Sequence, residues 1–321
     1  MKKFYTVKVP VADLRREPIA GNPNNSHKDL LQETQLLFGE QCLAVNESAE
    51  WLQVEAVQQE KFLQAASLPL GCWVGYPGWI KKSQLEPLEI KPEPKSGSAY
   101  IVTAPWTALY AAPSFTSPVR LPLSMGTKLA PVNPPPYPSA AAPLWLEMRW
   151  PDTTPGYIPF AHVQILEQPL APLDEAIRRD IITKACSLLG QPYLWGGRSS
   201  HTSSAYFSHQ PTGFDCSGLV SLLYALHGTQ LPRDAHDQFL KCEKCPGKDL
   251  QPADLIFLAC PAKPRMNHVM LYAGNDQLIE ATMHSGNIRQ VAAAERLGKP
   301  LKELRCGDRY AAFDIYLGKV K

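Results

Sequence analysis

The stretch Phe214-Asp215-Cys216-Ser217-Gly218-Leu219-Val220 places a cysteine at the start of an apolar run that continues to His227. Such a run predicts a buried helix, which ends at Gly228, a residue suited to the left-handed cap position. A thiol in the first turn of a helix lies near the positive end of the backbone dipole, where the thiolate is favoured and its pKa falls. The stretch therefore indicates a cysteine nucleophile, although a lone cysteine is more commonly a small buried hydrophobe.

A partner for this cysteine is expected in the strand that begins Asn267-His268-Val269-Met270 and continues to Gly274. A cysteine nucleophile needs an imidazole within hydrogen-bond reach, which the fold supplies and adjacency in sequence does not. A single histidine at the end of a strand is more often structural. His268 is therefore a hypothesis that needs the support of further motifs.

The composition is that of a globular protein with room for two or three domains: 321 residues, of which 45% are hydrophobic. The net charge of +2 gives no bulk field that would attract nucleic acid or an anionic membrane. We read no secretory signal and no apolar segment of the about 20 residues that a membrane helix needs. The eight cysteines are scattered, which fits reduced thiols better than a disulfide framework. We expect a cytoplasmic monomer that binds neither nucleic acid nor membrane.

The first half of the chain contains an internal repeat, in which four landmarks recur in the same order. They resemble those of the bacterial SH3-like (SH3b) domain: an L-R-x-x-P opening, a glycine turn, a W-x-x-V strand and a final G-W-I strand. The matched segments are 12–18 with 107–113, 37–43 with 124–129, 51–54 with 145–148, and 77–80 with 155–158.

This repeat predicts a multi-domain protein with two small SH3b-like β-barrels, over residues 1–90 and 98–167. Between them, 91–97 reads as a linker because its prolines, glycine and serine do not extend a sheet or helix. The proline-rich stretch 131–138 fits a stiff loop of the second barrel better than a polyproline ligand. Residues 168–321 show helical patterns followed by strands, which predicts an α+β domain.

The C-terminal part resembles the NlpC/P60 family of papain-like cysteine peptidases in five motifs that occur in order. The resemblance implies that Cys216 is the nucleophile and His268 the general base, and that neither a metal nor an organic cofactor is needed. The motifs are Gly190–Gly197 (GQPYLWGG), Asp215–Val220 (DCSGLV), Leu231–Gln238 (LPRDAHDQ), Pro252–Phe257 (PADLIF) and His268–Gly274 (HVMLYAG).

The family's third catalytic residue, usually a histidine or an amide, lies on the strand that follows His268. Counting along this strand puts Glu280 in that place, which departs from the family pattern. A carboxylate can orient an imidazole, as it does in Ser-His-Asp sites, and it stabilises an imidazolium more strongly than an amide does. His284, four residues further on, is the alternative third member.

Three further residues are expected at the substrate. The resemblance implies that Asp215 and Ser217 bind polar groups near the scissile bond and that Tyr193 lies beside the active site. Asp and Ser are also good helix caps, so a structural role for both stays open. Ala235 stands where relatives carry serine, so one polar contact to the substrate is missing.

Two SH3b domains followed by an NlpC/P60 domain resemble the γ-D-glutamyl-L-diamino acid endopeptidases of cell-wall recycling. The resemblance implies a muropeptide substrate, L-Ala-γ-D-Glu-diamino acid, whose diamino acid we expect to be meso-diaminopimelate. In that group the first barrel closes one end of the cleft, where a free ammonium needs a carboxylate. Glu40 is our candidate for this carboxylate, and Tyr76 is expected to reach toward Cys216.

Other interpretations stay open at this point. A non-catalytic wall-fragment binding protein and a peptidase of different wall specificity are the two alternatives. A metal site at His201 and His209, and a zinc or redox role for Cys242 and Cys245, are less favoured than loop and structural roles.

Overall fold

The computed structural model describes residues 2–21, 29–65, 68–88, 99–132, 143–149, 155–166 and 173–320. The predicted linker 91–97 lies outside the described residues, and so do residues 133–138 of the proline-rich stretch and 168–172 at the start of the predicted third domain. Among the described residues, the structural elements form three consecutive groups along the chain.

The first group is a seven-stranded antiparallel sheet with the strand order β3-β2-β6-β5-β4-β1-β7. Strands β2 and β3 are buried on both faces along most of their length. One face of these strands packs on the apolar core of this sheet, and the other face contacts the third group. The strands are β1 (Phe4–Val7), β2 (Val11–Arg15), β3 (Gln32–Leu37), β4 (Gln41–Ser48), β5 (Trp51–Ala65), β6 (Leu68–Lys81) and β7 (Leu85–Leu88).

The second group consists of two small antiparallel sheets, with the orders β10-β9-β13-β12 and β11-β8-β14. Both contribute side chains to one apolar core, which includes Tyr100 and Val163 from one sheet and Leu109 and Ile158 from the other. The first half of the chain is therefore built from sheets. The strands are β8 (Ala99–Val102), β9 (Trp106–Tyr110), β10 (Val119–Ser124), β11 (Lys128–Leu129), β12 (Trp145–Met148), β13 (Gly156–Pro159) and β14 (Val163–Leu166).

The third group is an α+β unit in which three helices precede an antiparallel sheet of the order β17-β23-β18-β19-β20-β21, with β22 paired to β23, and a fourth helix follows β21. Its helices are α1 (Glu175–Ser187), α2 (Cys216–Ala225), α3 (Ala235–Lys241) and α4 (Ala293–Leu297). Its strands are β15 (Arg198–Ser199), β16 (Gly213–Phe214), β17 (Glu243–Lys244), β18 (Leu255–Cys260), β19 (Lys263–Gly274), β20 (Gln277–Thr282), β21 (Asn287–Ala292), β22 (Asp308–Tyr310) and β23 (Phe313–Lys319).

One predicted strand is wrong in its extent. The sequence pattern predicts a single C-terminal strand over Tyr310–Leu317. The structure instead divides this region into β22 and β23, which pair as a hairpin with Tyr310 opposite Phe313. Ala311, between them, has a φ of 50°. This left-handed backbone conformation turns the chain, and the sequence does not signal it because alanine seldom adopts it.

The three groups share one apolar core around α2. Leu37 of the first group, Met125 of the second and Leu222 of α2 belong to the same cluster of buried side chains. Gly126 approaches the helix so closely that a Cβ atom there would lie 2.2 Å from Leu222 Cδ1. In the part of the chain that the structure describes, no helix is long and apolar enough to cross a membrane.

Candidate active site

The structure places Cys216 at the first position of α2, with Asp215 as the N-cap. The Asp215 carboxylate accepts hydrogen bonds from the backbone N–H of Gly218 at 2.6 Å and of Gly196 at 3.0 Å. Gly218 lets the loop before β15 approach the helix, because a Cβ atom at this position would lie 2.2 Å from the backbone oxygen of Gly197. The cap and the close approach together fix the direction in which the Cys216 side chain leaves the helix.

His268 on β19 lies between Cys216 and Glu280. Its Nε2 atom is 2.6 Å from Oε2 of Glu280, and Cys216 is close enough to the ring to shift its pKa. Burial alone would lower the pKa of His268, but the hydrogen bond and negative charge of the Cys216 thiolate, and then those of Glu280, raise this pKa to about 9. The site therefore favours the imidazolium form of His268.

Glu280, on β20, is 1% exposed and is held by three cationic side chains. Besides His268 these are Arg289, whose Nη2 lies 2.7 Å from Oε1, and Arg296, whose Nε lies 3.1 Å from both carboxylate oxygens. Burial would raise the pKa of Glu280, but the bond and charge of His268 and the two arginines lower it to about 2. His284 lies exposed beyond the end of β20. Of the two candidates for the third member, the structure brings Glu280 to His268.

Asp215 and Ser217 are bound to a buried arginine that the sequence analysis did not single out. Arg233, 2% exposed, donates to both oxygens of Asp215 at 3.0 and 2.7 Å and to Ser217 Oγ at 3.0 Å. The two predicted substrate contacts are therefore already engaged within the protein, and this geometry favours a structural role for both. A charged residue in the Leu231–Gln238 motif was the available signal for Arg233.

Tyr193 is buried, 6% exposed, and lies near Asp215 and Cys216. Burial and the negative charges of Asp215 and Cys216 raise the pKa of the Tyr193 phenol well above its usual range. The phenol is therefore protonated at neutral pH.

Tyr76, on β6 of the first sheet, contacts the third group through its hydroxyl. Its hydroxyl lies 3.0 Å from Asp234 Oδ1 and 3.0 Å from Glu33 Oε2, and it accepts a hydrogen bond of 2.9 Å from Lys61 Nζ. Asp234 follows Arg233, the residue that holds Asp215 beside the nucleophile. The Tyr76 hydroxyl thus lies between two carboxylates that also carry cationic partners: Lys61 and Arg265 on Asp234, and Arg16 on Glu33.

The geometry does not favour Glu40 as the carboxylate for a substrate ammonium. One of its oxygens lies 2.8 Å from Arg198 Nη1, and the other accepts from Gln59 Nε2 at 3.1 Å. Gly39, with a φ of 81°, turns the chain after β3 and directs Glu40 to this partner. The carboxylates that lie beside Tyr76 are those of Asp234 and Glu33, and Glu33 is itself paired with the exposed Arg16, whose Nε lies 2.5 Å from Oε1. The sequence analysis did not single out Glu33.

The other candidate sites show structural contacts. His201 Nδ1 lies 3.0 Å from the backbone oxygen of Thr212, and His209 is exposed. Burial, with a smaller effect of nearby charge, raises the pKa of the Cys242 thiol to about 12 and that of Cys245 to about 11. Within the described ranges, no group of three or more His, Cys, Asp or Glu side chains could hold a metal ion.

Comparison with known proteins gives consistent likenesses. Residues 190–300 match the model of the NlpC/P60 family. The chain is 28% identical over 276 residues to the gamma-D-glutamyl-L-lysine dipeptidyl-peptidase of Bacillus subtilis (strain 168), which covers 84% of this chain and 78% of that protein. The protein with the same name from Bacillus cereus (strain ATCC 10987 / NRS 248) is 27% identical over 250 residues, 78% of this chain and 67% of the relative.

A solved structure shares the fold. The crystal structure of an NlpC/P60 family protein from Bacillus cereus ATCC 10987 superposes with a TM-score of 0.68, covering 90% of this chain and 94% of the other at 22% sequence identity. The arrangement of the sheets and of the helical unit is thus one that an experimental structure also contains.

Proposed function

We propose, from the premise that residues 190–300 form an NlpC/P60 cysteine peptidase domain, that the protein hydrolyses the bond between D-γ-glutamate and a diamino acid. The substrates are peptidoglycan-derived peptides that begin with a free L-Ala. The observation that carries the proposal is the connected arrangement of Cys216, His268 and Glu280 at the start of α2. It also favours a peptidase over a non-catalytic binding protein.

The chemistry follows from this arrangement. The Cys216 thiolate attacks the γ-carbonyl carbon, and the oxyanion is met by the Cys216 N–H, which as the first of the helix has no acceptor within it. The His268 imidazolium then gives its proton to the leaving amine of the diamino acid, which leaves a thioester. Water attacks the thioester while neutral His268 takes its proton, and the thiolate is released with the L-Ala-D-Glu product.

A free substrate amine is recognised, in this proposal, by the cluster around Tyr76. Glu33 and Asp234 offer two carboxylates there, and Lys61 already places an ammonium 3.0 Å from Asp234 Oδ2. Glu33 is paired with Arg16 at 2.5 Å, but Arg16 is 58% exposed, so in this proposal the substrate amine replaces it. An ammonium that loses its water needs such a counter-charge, so an N-acetylated peptide would be rejected. We assign to Glu33 the role that the sequence analysis gave to Glu40.

The β-rich first half completes the proposal. We interpret the first sheet and the pair of small sheets as two SH3b-like domains, of which the first closes one end of the cleft through Tyr76. The eight cysteine sulfurs are all free thiols, including the exposed Cys186 and Cys306, which supports a reducing compartment. We therefore place the enzyme in the cytoplasm, in the recycling of wall peptides.

The decisive assay is incubation with L-Ala-γ-D-Glu-meso-diaminopimelate and with the corresponding L-lysine tripeptide, the diamino acid in the names of the two relatives. We expect L-Ala-D-Glu as a product and the faster reaction with diaminopimelate. The Cys216→Ala variant should bind peptide and release no product. Unchanged tripeptides under conditions in which an active relative cleaves them would contradict the proposal.

Substrate recognition is tested separately with Glu33→Gln. Loss of one carboxylate should raise KM for the free-amine tripeptide about tenfold or more, since hydrogen bonds to charged groups contribute about 1.5–3 kcal/mol. Glu40→Gln is the matched control and should leave KM for this peptide close to that of the wild type. Equal cleavage of the N-acetylated and the free tripeptide by the wild type would refute the recognition model.

A further inference from the structure

Glu280 lies in an unusual setting for the third residue of a cysteine peptidase site, because two arginines bind its carboxylate in addition to His268. Arg289 lies directly across from Glu280 in the register of β20 and β21 and approaches Oε1 through both Nε and Nη2, at 3.0 and 2.7 Å. Arg296 reaches the same carboxylate from α4. Strand β21 and helix α4, which contain none of the five sequence motifs, thus each contribute a side chain that binds Glu280.

The need for these cations becomes clear when the proton moves. A buried carboxylate without a counter-charge loses several kcal/mol of hydration free energy that nothing replaces. While His268 is protonated, its positive charge balances the negative charge of Glu280. Once the ring has protonated the leaving amine it is neutral, and Glu280 at 1% exposure would keep no cation unless Arg289 and Arg296 were present.

The arginines also act on the ring itself. A carboxylate stabilises an imidazolium more strongly than a neutral amide does, and an imidazolium that is held too firmly is a weak acid toward a leaving amine. The positive charges of Arg289 and Arg296 repel the imidazolium, and this Coulomb repulsion opposes its stabilisation by the carboxylate. The net charge of Glu280 with its two arginines is +1, whereas that of Glu280 alone is −1.

We propose that Arg289 and Arg296 are positioning residues for His268. They keep the Glu280 carboxylate charged and turned toward Nε2 in both protonation states of the ring, and they keep the imidazolium acidic enough to serve as proton donor. This inference rests on the proposed function for the identity of the catalytic site, and it assigns the tuning of that site to β21 and α4.

The charged groups that face His268 and Glu280 in the described structure come from three elements. Cys216 faces His268 from α2, Arg289 faces Glu280 from β21, and Arg296 faces Glu280 from α4. On its other edge β19 pairs with β18, where Leu258, an apolar residue, is opposite His268. The titration of His268 therefore reports on a small and defined set of charges.

The test measures the midpoint of the His268 titration by NMR in the full-length enzyme labelled with ¹³C at histidine Cε1, with the signal assigned by its loss in His268→Gln. Removing a cation stabilises the imidazolium, so Arg289→Ala and Arg296→Ala should each raise the midpoint by about half a pH unit or more. Arg296→Lys keeps the charge and should restore a midpoint close to that of the wild type. Arg179→Ala, which removes an exposed arginine of α1 that pairs with Glu175, is the matched control and should leave it unchanged.

An unchanged or lowered midpoint in Arg296→Ala would overturn the inference, since a merely structural role leaves the ring's charge balance intact. Arg296 is 22% exposed on a short helix, so this variant tests the inference even if Arg289→Ala fails to fold. The titration uses no peptide. Failure of the tripeptide assay and failure of this inference are therefore separate results.

Discussion

His268 and Glu280 have pKa values that are shifted in opposite directions: Cys216 and then Glu280 raise that of His268, and His268 with the two arginines lowers that of Glu280. The pKa of His268 is raised from 6.5 to about 9, although burial opposes this shift, and that of Glu280 is lowered from 4.5 to about 2, again against burial. The pair is thus ionised across the whole neutral range. His268 and Glu280 therefore connect Cys216 with Arg289 and Arg296 in one row of interacting side chains.

These shifts predict how His268 contributes to stability at different pH values. A group whose folded-state pKa is raised stabilises the protein fully below its unfolded pKa, here 6.5, and this contribution is lost as the pH rises through about 9. The difference in free energy of unfolding between the wild type and His268→Gln should therefore be about 3 kcal/mol larger at pH 6 than at pH 10. Urea unfolding at both pH values measures it.

The matched control for this prediction is His209→Gln, which replaces an exposed histidine. Its difference from the wild type should change little between the two pH values. A difference for His268→Gln that is equally large at pH 6 and pH 10 would mean that the ring is not held in its charged form by the fold.

Among the elements, α2 depends on a glycine where helix propensity would favour alanine. Gly218 lies in the first turn, and a Cβ atom there would lie 2.2 Å from the oxygen of Gly197 and 2.9 Å from Asp215 Oδ1. Gly218→Ala gains up to about 1 kcal/mol in helix propensity, but it must displace either the neighbouring backbone or the capping carboxylate. Contact with backbone is not relieved by a change of rotamer.

We expect Gly218→Ala to lower the free energy of unfolding by about 1–3 kcal/mol and to lower kcat, because the shift moves the turn that carries Cys216. Thermal unfolding and tripeptide hydrolysis measure the two effects. Ser187→Ala, at an exposed position of the last turn of α1, is the control and should stay within about 0.5 kcal/mol of the wild type. A stabilised and fully active Gly218→Ala would show that the close approach is not needed.

The elements also show how far the sequence predicts this site. Motifs and counting along strands predict Cys216, His268 and Glu280, because these residues belong to elements with strong local signals. Arg289 and Arg296 could not be predicted, because their contact with Glu280 depends on the register of β20 with β21 and on the packing of α4.

The two carboxylates near β3 are a second case. Glu33 and Glu40 are separated by seven positions, and the sequence does not show that Glu40 pairs with Arg198 while Glu33 lies beside Tyr76. Apolar periodicity and repeats likewise predict sheets in the first half and an α+β unit after them. They contain no information on contacts between the groups, which arise from side chains far apart in the sequence.

For the molecule as a whole, the first sheet and the catalytic unit share buried polar contacts as well as an apolar core. Thr34 Oγ1 on β3 accepts a hydrogen bond of 2.6 Å from Nε of Arg233, the residue that binds Asp215. The neighbouring residue Gln35, which is 0% exposed, bridges the same two groups of elements. The turn that carries Asp215 and Cys216 is therefore stabilised in part by β3 of the first sheet.

Gln35 carries the last prediction. Its Oε1 accepts from the N–H of Arg198 and from the hydroxyl of Ser199, and its Nε2 donates to Asp13 and to the backbone oxygen of Pro211. Gln35→Leu keeps the volume and leaves these buried groups without a partner, at about 1–3 kcal/mol for each. We expect a loss of several kcal/mol.

Because the core is continuous across the three groups, this loss should affect one cooperative unfolding transition of the entire chain, followed by urea with tryptophan fluorescence and far-UV circular dichroism. Gln290→Leu is the matched control, since the exposed amide of Gln290 meets Gln277 at the surface of the same molecule, and it should leave the transition within about 0.5 kcal/mol of the wild type. Two separate transitions, with the loss confined to one of them, would show that the first sheet folds independently of the catalytic unit. A single shifted transition would instead show that the first sheet and the catalytic unit fold together in one cooperative step.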